Sequence, residues 1–526
     1  MRQFCKVTCV LLAVLLSLSV TQAVAEGTDA KIANGDVTLT IYVEMRPGAS
    51  QIYTDYSQHP VVQQLEERTG LNLEFIHPTA DDATFFNVTV ASNEWPDLWV
   101  TSSFSSYPGG VDGAIEDGIL LNINDLVLEY APNFTALVEK YGVMSDVISD
   151  SGTIIYFGQV MNCDYTTDKS FLGFIARSDV LEANDIALPE TYAQWDAMLA
   201  SLQAVGFETP LAIPFIDGNF STYNNLSAGF GVTHNDFFVW DGKVVYSPIQ
   251  EGYRDYLRLL KNWYDKGYYN SDSFGYNLND TKDAIQEGKV AVAYSHAAHT
   301  TTVNSIGTAL DENFAVAGLM NPRQKEGDVL SLIYRNPRTS NSPAWFVSAA
   351  TPYAEECVRF VDYLYTEEAQ RLTAWGYCDE NTPTWEYVDG TPTFTSFMTN
   401  NEDGVDFQIM KDRYILAPFQ VIYAEEVEVQ QYNYPEKLQA IENFGYNSNN
   451  AGLYPSKATM TVDESTQYNQ IMSQVKTYTD EMMQQFITGV ADLEADWESY
   501  VKQVEAMNIA RACQIKQDSL DRYNAR

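Results

Sequence analysis

Polar and apolar residues alternate along Val37–Val43, VTLTIYV, and the run is β-branched, so a first strand is expected there. The next segment, HPVVQQLEERTG, places Val61, Val62 and Leu65 on one helical face, with Pro60 suited to the first turn and Gly70 to the stop. Leu71–Phe75 reads as a second strand, residues 82–91 as a helix, and Leu98–Trp99–Val100 as a short buried strand. This strand–helix–strand–helix–strand order predicts a mainly parallel sheet covered by helices. The same rhythm returns further on. PETYAQWDAMLASLQAVG, residues 189–206, carries Trp195, Met198 and Leu202 at helical spacing between a Thr191 cap and Gly206. Asp241–Tyr246 is a turn and a strand. Tyr253, Tyr256, Leu257, Leu260, Trp263 and Tyr264 make a 3.6-residue stripe that marks core. Gly288–Ser295 is a buried strand running into His296 and His299, Phe360, Val361 and Leu364 mark an inward helix face, and Thr477–Arg526 is mainly helical. No repeat, low-complexity linker or heptad array breaks the pattern, so lobes are interleaved rather than strung in series.

Length and charge narrow the picture. A chain of 526 residues exceeds one ordinary core, which predicts two or more lobes. The net charge of −40 argues against nucleic acid and anionic membranes as partners. Aromatics reach 13%, with 34 Tyr, and such side chains suit amphipathic ligands. At the N-terminus, Arg2 and Lys6 precede an apolar run, Val7–Val20, and Ala23-Val24-Ala25 supplies a small-x-small site. That predicts a secretory signal, residues 1–25, and a soluble protein exported to the periplasm or the outer face of the cytoplasmic membrane. Cys163, Cys357, Cys378 and Cys513 remain outside the signal; their wide spacing is no disulfide scaffold, and they read mostly as buried thiols with one bridge open.

Motifs for catalysis are missing. There is no G-x-S-x-G elbow, Walker loop, H-E-x-x-H or clean G-x-G-x-x-G. His296-x-x-His299 has helical spacing but no third ligand, so no metal site is assigned, and no cofactor is expected. Asn400–Asp406, NNEDGVD, lacks the spacing and closing Glu of an EF-hand. Glycoside hydrolysis needs two facing carboxylates, and the 71 acidic residues give no means of choosing a pair; it stays as the alternative class.

One loop stands out. After Leu98–Val100 the chain runs through Thr101, Ser102, Ser103, Phe104, Ser105, Ser106 and Tyr107 to Gly-Gly. Beyond the carboxyl end of a strand is where open α/β sheets bind ligands, and these serines have no basic partner in sequence. The loop reads as part of a ligand cradle.

The order of segments resembles the extracellular solute-binding proteins of carbohydrate-type ABC transporters, family 1, over nearly the whole mature chain. LEERTGLNLEF, ASNEWPDLW (with Asn93 for the usual Gly), EDGILLNINDLVLEYAPN and IARSDVLEANDIALPETYAQW carry the resemblance. So does TYTDEMMQQFITGVADLEADWESYV, Thr477–Val501, the most specific piece, followed by Asn508 where Gly is frequent and by Arg522–Tyr523. No Cys ends the signal, so the lipid anchor common in the family is not expected. The resemblance implies an α/β, two-lobed periplasmic-binding-protein-like fold of type II. Each lobe would be a mainly parallel sheet flanked by helices, with an interlobe ligand cleft. Lobe one would take residues 36–160 and 323–376, and lobe two 161–322 and 385–526. Crossings would fall near Val160–Tyr165, Leu319–Pro322 and Gly376–Thr384. The implied function is capture of a carbohydrate, an oligosaccharide above all, for a membrane permease, by a monomer without catalysis; a ligand-presenting sensory protein would share the fold. Nominated ligand contacts are Glu44, Arg46, Thr101, Ser102 and Ser103 from lobe one and Asn162, Asp164 and Tyr165 from the first crossing. Lobe two offers Asp217, Asn219, Tyr223, Ser295 and His296. Trp345 and Trp385 are stacking candidates near later crossings, and Arg177 either reaches the cleft or pairs with Asp179. Trp345 in PAWFVSAA also fits a plain buried strand.

Overall fold

The first strands form where the apolar alternation put them. In the computed structural model, which describes residues 31–79, 82–161, 167–423, 425–432 and 434–526, β1 is Thr38–Val43, β2 is Asn72–Ile76 and β3 is Leu98–Thr101. The expected signal, residues 1–25, lies outside the described residues. Between β1 and β2, Pro60 opens the helix Pro60–Thr69 and Gly70 closes it in the left-handed conformation, φ 71°. Six strands share this sheet in the order β14-β4-β11-β3-β1-β2, with β4 at Phe157–Met161, β11 at Thr339–Val347 and β14 at Ile422–Tyr423. A second sheet, β10-β5-β9-β6, joins Val316–Gly318, Leu172–Arg177, Val292–His296 and Leu211–Ala212. Two hairpins, β7–β8 (Phe237–Trp240, Lys243–Tyr246) and β12–β13 (Trp385–Val388, Thr391–Phe394), complete the strands among the described residues.

Each sheet has its own core. Residues of 33–160, 344–372 and 416–422 build the first, around Trp99, Phe104 and Trp345. Residues of 171–333 and 440–520 build the second, around Trp195, Trp263 and Tyr294. The fold is therefore α/β and two-lobed. A third, small core (Trp375, Phe394, Met398, Met410, Ile415) forms a satellite on lobe one.

Pairing is mainly parallel in the first sheet, as expected, and mainly antiparallel in the second. In the first sheet β1–β2, β1–β3 and β4–β14 are parallel, while β11 runs antiparallel to both β3 and β4. In the second sheet only β6–β9 is parallel. The cause is connectivity: β11 and β5 each enter from the other lobe. They start at the sheet edge where the βα-linked strands end, so they run the opposite way.

Crossings two and three also differ from the expected positions. Leu319 N bonds Phe174 O, Arg323 is fully buried among second-lobe residues, and Leu330 and Ile333 belong to the second core. The chain returns only at Tyr334–Arg338, directly before β11. After the satellite, β14 rejoins the first sheet beside β4, and the helix Pro435–Gly445 then lies on β10 and β5. The third crossing thus lies between Tyr423 and Pro435. A two-residue strand has no sequence signature, which hid β14.

Candidate functional site

Strand directions fix which sheet edges meet. β4 ends at Met161, at the edge where β1 and β3 also end, and β5 begins at Leu172, opposite His296 at the end of β9. The return segment is tied to the outgoing one: Met161 N donates to Arg338 O at 2.8 Å, Asn336 N to Lys169 O at 2.9 Å, and Asp168 N to Asn336 O at 2.9 Å. Both carboxyl edges therefore border one interlobe gap, the place where open α/β sheets present ligand groups.

On lobe one, β1 empties at Glu44–Arg46, both exposed. The Arg46 N–H donates to the Tyr56 hydroxyl at 3.0 Å, and burial pushes that phenol up to about 12. His77, after β2, holds the turn: its Nδ1 lies 2.9 Å from Val43 O, and its Nε2 accepts from Tyr56 N at 3.2 Å. β3 ends at buried Thr101, whose Oγ1 accepts from Ser103 N at 3.0 Å. Ser102 is exposed and Ser103 half-buried. Beneath them Phe104 packs edge-on to Phe86 at 4.8 Å and to Trp99 at 5.4 Å. An aromatic anchor thus holds the hydroxyl loop to the core.

On lobe two, the chain after β6 turns at Asp217. Its carboxylate accepts from Asn219 N at 2.8 Å and Leu278 N at 3.0 Å, starting two helices, so Asp217 is occupied by capping. Asn219 is exposed, and the buried Tyr223 ring lies 4.8 Å from Tyr334 of the return crossing. β9 ends at Ser295 and His296. His296 stacks on Phe171 at 5.9 Å, and its Nδ1 accepts from Ala298 N at 2.9 Å. Burial lowers His296 to about 3 and His299 to about 4, so both are neutral at pH 7 and offer hydrogen bonds rather than charge. Ser295 Oγ is 3.3 Å from His299 Nδ1 but fully buried. The two histidines do not share a helix face: His296 ends β9 and His299 starts a helix.

Other nominees fall elsewhere. Arg177 ends β5 at the opposite edge of the second sheet, in register with Val316. It pairs with Asp179 at 2.6 Å and covers the Phe314 ring at 4.1 Å, so it supports the fold. Trp345 is 1% exposed inside β11, 4.8 Å from the Phe419 ring; it is core, not a stacking platform. Trp385 sits in the satellite hairpin. Asn162, Asp164 and Tyr165 lie outside the described residues.

Where the lobes touch, a cavity of about 630 Å³ opens between them. Lobe one lines it with Asp112, Glu116, Ser151 and Thr153, and the C-terminal segment with Thr459, Thr461, Asp463 and Arg522. Asp150 of lobe one bonds Arg522 at 2.6 Å and Arg526 at 2.7 Å. Sequence reasoning missed this wall and Tyr334 and Phe171. The hydroxyl-rich TMT run, Thr459–Thr461, is the one local signal for the wall, whereas Tyr334 was hidden by the misplaced crossing.

Comparison with known proteins agrees with this geometry. Residues 91–371 match the family described as bacterial extracellular solute-binding protein. The fructooligosaccharide ABC transporter substrate-binding protein FusA of Streptococcus pneumoniae serotype 4 is 19% identical over 496 residues, 90% of this chain and 88% of that one. The structure of S. pneumoniae FusA in complex with kestose superposes with a TM-score of 0.72 at 17% identity, over 93% of this chain and 99% of that chain. An HMO-binding, ABC-transporter-associated solute-binding protein from Bifidobacterium longum infantis gives 0.76 at 14% identity, over 93% and 99%.

Proposed function

Because the chain belongs to the bacterial extracellular solute-binding protein family, we propose that it captures an oligosaccharide between its lobes and delivers it to the permease subunits of an ABC importer. The observation that carries this is the joined pair of carboxyl edges, which bring hydroxyls, neutral imidazoles and aromatic rings to one gap. Sugars offer CH faces to rings and hydroxyl edges to such donors and acceptors. The FusA relative, named for fructooligosaccharide, and the HMO-binding structure support a carbohydrate ligand.

In this proposal lobe one comprises residues 36–160 with 339–423, and lobe two 172–333 with 435–526. Glu44, Arg46, Thr101, Ser102 and Ser103 meet the ligand from one side, and Asn219, Tyr223, His296 and Tyr334 from the other. Contacts made only when both lobes touch the ligand shift the population toward the closed form, which docks on the permease. The protein acts as an exported monomer and leaves its ligand intact. Ser295, the serine beside His299, is shut from the gap by burial, which disfavours acyl or glycosyl transfer there.

A thermal-shift screen of residues 26–526 against fructo-, xylo- and human-milk-type oligosaccharides and small peptides tests this. Ligand binding to the folded state alone raises Tm with dose, by about 2.7 kcal/mol of stability at a hundredfold excess over Kd. The expected result is a shift with one sugar class, recovered unchanged by chromatography. A shift with peptides only, or sugar cleavage, overturns it.

A further inference from the structure

We propose a second carbohydrate-binding site, on the outer flank of lobe one, in the cavity between the satellite hairpin and the helix Glu367–Trp375. The cavity measures about 610 Å³, and its lining includes Trp385 and Tyr377 together with Arg68, Glu367, Glu368 and Arg371.

Its place in the fold separates it from the interlobe gap. Arg68 lies in the last turn of the helix Pro60–Thr69, and Thr69 O accepts from Ile32 N and Ala33 N at 2.7 and 3.0 Å. That is the amino edge of the first sheet, where β1 and β2 begin; the gap borders the opposite edge. A ligand here is bound by lobe one and its satellite alone.

Chemistry selects the ligand class. Trp385 and Tyr387, two apart in β12, share one face of the hairpin and pack edge-on at 5.3 Å. Trp385 is half-buried, set by Trp375 at 6.2 Å and by Nε1 donation to Gly376 O at 3.4 Å, which leaves part of its ring toward the cavity. Gly376 makes the turn at the cavity floor, with φ 84°; a Cβ there would lie 2.5 Å from Tyr414 O. Beside the hairpin, Arg371 covers the Tyr387 ring at 5.8 Å and bonds its hydroxyl, and it bonds Glu367 at 3.0 Å, while Arg68 bonds Glu368. Two guanidinium forks and two carboxylates cancel, so the wall is neutral but dense in donors and acceptors. A partly open ring lining the same cavity as such charged pairs matches a neutral sugar, whose CH face stacks and whose vicinal hydroxyls bridge a fork and a carboxylate. A nucleotide or anionic glycan would face both carboxylates unpaired.

Because lobe motion is not needed, this site suits holding a long polymer at the cell surface while the gap samples shorter chains. Native gel affinity electrophoresis of residues 26–526 in soluble inulin, arabinoxylan, glucomannan and starch tests the idea, with Trp385→Ala and Tyr387→Ala/Arg371→Gln as variants. The second variant replaces exposed side chains and keeps the fold intact if Trp385→Ala does not. The expected result is retardation of the wild type by one polymer. Both variants should lose at least tenfold in apparent affinity while keeping the wild-type thermal shift with the short ligand. Tyr334→Ala should do the reverse. Unretarded wild type in all four polymers, or equal retardation of the Tyr387/Arg371 variant, overturns the proposal. Loss of the short-ligand shift in the wild type overturns the interlobe function instead.

Discussion

Several side chains sit where the backbone, rather than a ligand, chose them. Asn93 and Asn508 hold φ 57° and 69°, left-handed values that favour glycine and tolerate Asn. The resemblance placed a usual glycine at both positions, and the structure supplies the reason. Asn508→Ala is expected to cost about 1 kcal/mol and Asn508→Gly to cost little or nothing, read as denaturation midpoints. Asp217 teaches the reverse lesson: a polar residue just past a strand looked like a ligand contact, yet its carboxylate is spent on two helix starts. Sequence cannot show that second partner, since Leu278 is distant along the chain. Arg177 was legible in part, because Asp179 lies two residues on.

At the level of elements, legibility followed locality. The helix Tyr192–Ala204 has its Thr191 cap and Gln194 in a complete capping box, all within a few residues of one another. β1, β2 and β3 likewise announce themselves by alternation and flanking turns. β11 does so only at its end: TSNSPAWFV opens with four polar residues and a proline, only PAWFV reads as a buried strand, and the rest becomes strand because β3 and β4 leave a place between them. Its Trp345 read both as a stacking candidate and as part of a buried strand, and the structure makes it core. Trp345→Ala should cost about 3–5 kcal/mol in urea unfolding, with ligand affinity of the folded fraction unchanged. Tyr334→Ala, in the half-buried return crossing, should lower affinity at least tenfold with a much smaller loss of stability. If Trp345→Ala selectively abolishes binding in fully folded protein, the core assignment fails.

Across the whole molecule, histidines link stability to acid. Burial lowers His59 to about 4 in lobe one and His234 to about 3, His296 to about 3 and His299 to about 4 in lobe two. Each folded pKa lies below the unfolded value near 6.5, so the unfolded chain takes up protons that the folded chain refuses. Stability is complete above pH 6.5 and falls as pH drops toward 3–4, by up to about 1.4 kcal/mol per pH unit for fully buried His59 and His234. Three of these residues lie in lobe two. Calorimetry from pH 7 to 5 should show its transition moving down faster than that of lobe one; parallel movement would contradict the assignment. Strand order in the first sheet also has a consequence in time. β11 separates β3 from β4, and β14 covers β4, so the sheet is incomplete until Tyr423 has left the ribosome. Most of lobe one waits as open-edged pieces, and such long-range pairing is slow. The connectivity therefore serves as a clock, holding lobe one incomplete until its late strands arrive.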